Sequence, residues 1–338
     1  MNADTGADRR KLGASGLTVS AQGVGTMSWG PSRMWGYGDT HTEEDVRAAF
    51  GTCLDAGVDF FDTAEGYGKG ESERLLGAVA REDGRPVVLA TKFRPRMSRF
   101  SADSLLPALQ ASLERLGTQT VDLYQIHTPV PHIKVEDLMD VMAKAVHSGR
   151  IRAVGVSNYS AALMRRAHAR LAEHGIPLAS NEVHFSLLHR NPERNGVLET
   201  CHELDVALIA ASPMEMGVLT GKYRTGNARM PLSRRMVMLL TGLDPSGDAK
   251  GRKRLTAGAR PLRSAAVEPV LDVLEDVADT RGTTPQAIAL NWLLSVHELV
   301  VPIPGAKNKR QAESNLAALG WRLSGDEFDL ISEAAAGF

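Results

Sequence analysis

Short apolar runs alternate along the chain with longer segments whose apolar residues recur at helical spacing. The runs at 23–27, 58–63, 87–92, 121–127, 151–157, 177–185, 206–212 and 299–303 are continuous rather than alternating, as in strands covered on both faces. Helical spacing predicts helices near 42–56, 71–81, 102–116, 135–148, 161–174, 194–204, 266–281, 285–295 and 309–318. Strict alternation of strand and helix makes a parallel sheet. Eight such units form either a closed (β/α)8 barrel or an open doubly wound sheet. Polar residues fall at the C-terminal ends of the second to sixth strands, and only a closed barrel gives all of those ends one shared mouth. The expected fold is α/β, a (β/α)8 TIM barrel, with residues 1–338 forming a single domain.

Three further features extend this frame. Segments 9–13 and 17–19 flank Ala14, Ser15 and Gly16, which predicts a β-hairpin capping the N-terminal end of the barrel. Ser324 is positioned to cap a short terminal helix. A long loop spans 221–263 after the seventh strand. From Lys222 to Arg263 it holds eleven basic residues and two acidic ones, in a chain whose net charge is −1. Loops of that length in a compact fold tend to be functional or disordered.

Composition narrows the classes without choosing a reaction. The chain is 43% hydrophobic and 23% charged, which suits a globular protein with a large core. Its near-neutral balance argues against a nucleic-acid or membrane-surface partner. Cys53 and Cys201 fall in helical segments and are expected to be reduced core thiols. The opening residues contain no apolar run, no stretch approaches a membrane span, and cytoplasmic residence is the expectation. No usual metal-ligand spacing appears.

The chemistry is concentrated in "FFDTAEGYG", "LATK" and "LYQIH". Asp62 ends the second strand, Tyr67 follows on its loop, Lys92 ends the third strand and His127 the fourth. A phenol titrates near 10 and donates its proton poorly at neutral pH. A neighbouring ammonium stabilises the phenolate, and moving the phenol toward 7 takes roughly 4 kcal/mol. A buried lysine loses its proton unless a carboxylate holds it charged, which is the role expected of Asp62. A neutral imidazole from His127 can orient a substrate carbonyl and donate a hydrogen bond to it.

These motifs resemble those of the aldo-keto reductase family, and the resemblance spans essentially the whole chain. It implies reversible, NADPH-dependent reduction of an aldehyde or ketone, with Tyr67 protonating the oxygen. The related steroid double-bond reductases carry glutamate where this chain has His127, so histidine favours carbonyl reduction. "GVGTM", "VGVSN", "NEVHFSLLHR", "SPMEMGVLTGKY" and "PIPGAKNKRQAESN" resemble the family's nucleotide-binding segments. They assign Gly25, Thr26, Met27, Ser157, Asn158, Glu182, Phe185, Ser212, Pro213, Met214, Gly217, Leu219, Lys222, Gly305, Lys307, Arg310, Gln311 and Asn315 to the cofactor. Trp29 and Trp35, with Tyr67 and His127, are expected at the substrate.

Physical reasons accompany several of these assignments. Ser157 and Asn158 suit hydrogen bonds to a nicotinamide carboxamide, while Ser160 suits a helix cap. The eighth strand runs into a helix N-terminus, which favours an anion, and Lys307 and Arg310 add charge for a 2′-phosphate. The basic 221–263 loop matches the family's cofactor-covering loop, with Met230, Met236, Met238, Leu239 and Leu240 as an adaptable apolar wall.

Two departures from the family pattern stand out. Ser314 replaces a usual glutamate just before Asn315. Glu182 replaces a usual glutamine, and a carboxylate cannot donate to the carboxamide oxygen. At about 6 Å and an effective dielectric of 20, Glu182 would favour the oxidised ring by roughly 3 kcal/mol. A neighbouring cation would cancel that preference, and His184 and His189 are the candidates. Some relatives of the family are channel-associated subunits, so an NADPH-sensing regulatory protein is the alternative. A phosphate-binding barrel isomerase is disfavoured, because the mouth lacks an open carboxylate base.

Overall fold

The computed structural model describes residues 8–31, 35–95, 99, 101–224 and 267–338. Arg9–Lys11 (β1) and Thr18–Ser20 (β2) pair antiparallel as the predicted hairpin. Eight parallel strands follow: Val24–Gly25 (β3), Phe60–Asp62 (β4), Val88–Phe93 (β5), Val121–Ile126 (β6), Ile151–Ser157 (β7), Leu178–His184 (β8), Ala207–Ala211 (β9) and Val300–Pro302 (β10). They pair in chain order from β3 to β10. The first and last strands also meet: the Gly23 and Gly25 N–H groups donate to the Pro302 and Pro304 carbonyls at 2.9 and 3.1 Å. The sheet is therefore a closed (β/α)8 barrel, as the alternation predicts.

Closure leaves an interior that side chains must fill. Toward the bottom, Ala90, Ala153, Ala179 and Ala207 leave room, and Leu12, Leu17 and Val19 of the hairpin occupy it beside Phe60 and Leu123. Burying such aliphatic side chains contributes about 1.5–3 kcal/mol each. The hairpin turn approaches so closely that a Cβ on Gly13 would lie 2.2 Å from the Asp205 carbonyl oxygen. The N-terminal end of the barrel is thus sealed, and chemistry is confined to the other end.

The helices fall where the periodicity predicts them, with local differences. Thr42 and Asp45 form a capping box at the start of Glu43–Asp55, and Ser324 does the same with Glu327 at Gly325–Ala334. The helix expected near 194–204 is split into Asn191–Arg194 and Val197–Glu203, because Gly196 turns left-handed at φ 78°. Cys53 and Cys201 are buried and free, and burial pushes both thiols up to about 12. Among the described residues no helix is long and apolar enough to cross a membrane.

Most of the predicted 221–263 loop, with its methionines, lies outside the described residues. Its flanks are tied together: Arg224 pairs with Glu268, Asp272 and Glu275 of helix Glu268–Arg281.

Candidate active site

Three adjacent strands deliver the central residues. β4 ends at Asp62, Lys92 is the penultimate residue of β5, and His127 follows β6. Parallel pairing sets these ends side by side, and the His127 N–H donates to the Phe93 carbonyl at 2.9 Å. Tyr67 opens a tight turn in which Gly68 and Lys69 both adopt left-handed backbone. The base is braced by buried hydroxyls. Ser72 Oγ lies 2.9 Å from both Thr26 Oγ1 and Thr63 Oγ1, tying β3 and β4 to the helix Glu71–Asp83.

Lys92 is fully buried at the centre of the cluster. Its Nζ donates to the Asp62 carboxylate, to the Thr63 carbonyl at 3.0 Å and to the Tyr67 hydroxyl at 3.5 Å. The Tyr67 and His127 rings meet edge-on with centroids 5.7 Å apart. Glu182 also reaches in from β8, its Oε2 3.1 Å from Lys92 Nζ. One ammonium therefore faces two buried carboxylates.

Gln125 lies between them. Its Nε2 donates to Asp62 Oδ1 at 3.2 Å and to Glu182 Oε2 at 3.0 Å, while its Oε1 accepts from Ser180 Oγ at 3.4 Å. The side chain crosses the barrel over Gly155, where a Cβ would lie 2.5 Å from Ser180 Oγ and 2.9 Å from Gln125 Cγ. Gly155→Ala is expected to displace Gln125 and cost about 1–3 kcal/mol. Denaturant unfolding measures this, and an unchanged midpoint would show that the crossing is not tightly packed.

Burial and mutual charge set the protonation states. Burial holds the Asp62 carboxyl well above its usual range; Glu182 adds to this and Lys92 opposes it. Burial alone would strip the Lys92 proton, but Asp62, Glu182 and Tyr67 outweigh it and hold the ammonium above its ordinary value. For Tyr67, burial raises the phenol, Lys92 lowers it, and Glu182 and Asp62 raise it again. The sequence predicts a phenol drawn toward neutrality, whereas here it stands above its ordinary value. That expectation allowed for the lysine and one carboxylate, but not for desolvation and a second carboxylate. His127 is pushed down to about 3, by burial first and then by Lys92 and Arg94, so its ring is neutral as expected. Its Nδ1 is buried with no partner among the described residues.

The cation that Glu182 meets is Lys92, not either predicted histidine. His184 Nε2 lies 2.6 Å from Glu215 Oε1, and His189 stacks on His184 at 4.2 Å.

Polar groups continue round the mouth from β7 to β10. Asn158, left-handed at φ 60°, donates through Nδ2 to Ser157 Oγ at 3.0 Å and to the His127 carbonyl at 3.2 Å. Ser160 caps the next helix, as expected. After β9, Ser212, Glu215 and Met216 are all left-handed, and such strain in non-glycine residues tends to gather at sites. Ser212 is exposed, Pro213 buried and Met214 half-buried. Lys222 Nζ lies over Gly217, 2.5 Å from where a Cβ would stand. Beyond β10, exposed Gly305 bridges to Gly25, and Arg310 is exposed in the first turn of Lys309–Leu316. Lys307 Nζ donates to the Trp35 carbonyl and lies 5.7 Å from its ring centroid. Met27 is exposed at the end of β3. Hydroxyl, amide and cationic donors in one row fit an elongated dinucleotide bearing a carboxamide and phosphates.

Several other predicted contacts turn inward. Thr26 is fully buried and bonds the Asp62 carbonyl. Trp29 is fully buried on Phe61, its Nε1 donating to the Ala306 carbonyl at 2.7 Å, so it links the segments after the first and last barrel strands rather than facing a substrate. Phe185 is buried edge-on against Trp292, and Leu219 is core. Asn315 is held by Gln286 and the Gly305 carbonyl, while Gln311 Oε1 accepts the Lys307 N–H. Apolar burial and the satisfaction of backbone groups claim these side chains in this conformation.

Gln125 has no assigned role in the sequence reading. It sits two residues before His127, on the same strand face. An amide two residues after Leu123, on the strand face turned into the barrel, is the signal that marks it.

A closed (β/α)8 barrel with a phenol, a lysine, an aspartate and an imidazole on adjacent strand ends has the form of a barrel oxidoreductase. The sequence profile of the Aldo/keto reductase family matches residues 23–336, and the chain belongs to that family. It is 34% identical to the chloroplastic pyridoxal reductase of Arabidopsis thaliana, over 94% of this chain and 84% of that one. It is 31% identical to the aldo-keto reductase yakc of Schizosaccharomyces pombe, whose name specifies NADP(+), over 96% and 90%. Among solved structures, the thermostable aldo-keto reductase Tm1743 in complex with the inhibitor epalrestat is similar, with a TM-score of 0.71 and 28% identity. That match covers 97% of this chain and 99% of that one.

Proposed function

We propose that this chain reduces an aldehyde or ketone to an alcohol with NADPH, using Tyr67 as the general acid. The convergence of Lys92, Tyr67 and His127 carries the reading: the lysine lies 3.5 Å from the phenol, and the neutral imidazole stands against it. When bound, a reduced nicotinamide supplies hydride to the carbonyl carbon. Tyr67 delivers a proton to the carbonyl oxygen, and His127 holds that oxygen with a hydrogen bond. Lys92 remains charged throughout, because two carboxylates oppose its burial, and it stabilises the phenolate left behind. Lys307 and Arg310 favour a 2′-phosphate and hence NADPH over NADH. The NADP(+) of the yeast relative's name supports that choice, and the plant relative makes pyridoxal a reasonable member of a substrate screen.

Steady-state oxidation of NADPH with 4-nitrobenzaldehyde tests this reading. Turnover that depends on Tyr67 supports it. Turnover near zero, with Tyr67→Phe indistinguishable from wild type, would instead favour an NADPH-binding regulatory protein.

Glu182 provides a second handle. Its charge adds to the burial that raises the Tyr67 phenol, so Glu182→Gln is expected to lower that pKa. Alcohol oxidation needs the phenolate as base, so its rising limb with pH should move to lower pH by the same amount. A limb that stays in place would show that Glu182 does not act on Tyr67. Because Lys92 faces Glu182, the ratio of NADP+ to NADPH affinities is expected to change by less than an unpaired carboxylate would cause.

A further inference from the structure

Most of the cations near Tyr67 and His127 are committed to carboxylates. Lys92 is shared between Asp62 and Glu182. Arg99 holds Glu65 through both guanidinium nitrogens, and Arg115 holds Glu73. Arg94 differs. It lies just beyond β5, two residues after Lys92, and is exposed. No carboxylate among the described residues pairs with its guanidinium.

The position of Arg94 is nonetheless well defined. Its backbone N–H donates to Glu65 Oε1 at 2.5 Å, and Arg99 occupies the same carboxylate. Glu65 therefore anchors the backbone of Arg94 and is already engaged by another guanidinium. The Arg94 side chain lies along the backbone of Gly66, where a Cβ would stand 3.0 Å from its Cδ and 3.4 Å from its Nη1. Gly66 immediately precedes Tyr67, and His127 feels the charge of Arg94. The predicted cofactor donors run from β7 to β10, whereas Arg94 lies on the other side of β6.

We infer that Arg94 binds an anionic group on the substrate, so that this chain prefers carbonyl compounds carrying a carboxylate or phosphate. A guanidinium matches either group through paired N–H donors. Its charge at the rim also draws anions toward the mouth. The inference rests on the carbonyl-reductase reading above.

The test compares kcat/KM for 4-carboxybenzaldehyde and 4-formylphenyl phosphate with that for the neutral methyl 4-formylbenzoate, using NADPH. In wild type, Arg94→Gln and Arg94→Lys, the ratio of charged to neutral substrate removes differences in intrinsic reactivity. Arg94→Gln is expected to lower this ratio about tenfold or more, and Arg94→Lys to keep part of it. The arm that responds distinguishes carboxylate from phosphate. In wild type, KM for the charged aldehyde should rise with ionic strength while that for the ester stays flat. If the ester is reduced but neither the ratio nor the salt response shows a preference for charge, this inference fails and the carbonyl-reductase reading stands. If none of the three is reduced, both fail.

Discussion

Tyr67→Phe is expected to lower kcat for carbonyl reduction by roughly a hundredfold to ten-thousandfold, the usual contribution of a positioned acid. The phenyl ring keeps the shape of the side chain and its edge-on contact with His127, so a large loss would report the missing proton. KM for NADPH should change by no more than about twofold, because the hydroxyl contributes chiefly in the transition state. The phenol stands above its ordinary value and remains protonated across the usual assay range. Wild-type reduction is therefore expected to show no phenol-dependent fall up to about pH 9. Comparing kcat and kcat/KM for the two proteins across that range is the decisive measurement. Equal losses in both constants support a transition-state role, whereas a rise in KM alone would assign Tyr67 to binding.

Lys92→Met should cost both activity and stability. It leaves Asp62 and Glu182 buried, close together and without their cation, and removing one partner of a buried ion pair costs about 3–5 kcal/mol. The loss should depend on pH. Burial already holds the Asp62 carboxyl above its unfolded value near 4, and without Lys92 nothing opposes that rise. The folded state then binds more protons than the unfolded chain above that point, so stability falls as pH rises. The variant should lie closer to wild type at pH 5 than at pH 8. Thermal unfolding at the two values measures the gap, and an equal gap at both would show that the carboxylates do not depend on Lys92. Lys92→Arg, which keeps the charge, should recover more stability than activity, because the larger guanidinium displaces the Tyr67 contact.

Much of this molecule is legible in its sequence because the signals are local. Strand–helix alternation, apolar continuity and the polar residues at strand ends follow from backbone periodicity and solvent exposure. They lead to a barrel with Asp62, Tyr67, Lys92 and His127 at one mouth, and those four do converge there. Ser160 and Ser324 are legible as caps for the same reason, since a cap acts within one helical turn.

Trp29 and Phe185 mark the limit of that approach. An aromatic beside a strand end can face a ligand or fill the core, and local pattern is the same in both cases. Here the space beneath the rim claims both rings, against Phe61 and Trp292 respectively.

The sequence by itself determined the elements, their order and the chemical types presented at the strand ends, because those depend on spacing of two to four residues. Tertiary structure alone decided that Glu182, ninety positions after Lys92, shares its ammonium with Asp62, and that Gln125 spans the barrel between the carboxylates. Closing eight strands into a narrow cylinder brings distant side chains within about 3 Å, and no local period encodes which ones meet. Burial of Tyr67, and after it the charge of Glu182, turn an expected low-pKa phenol into one that holds its proton firmly.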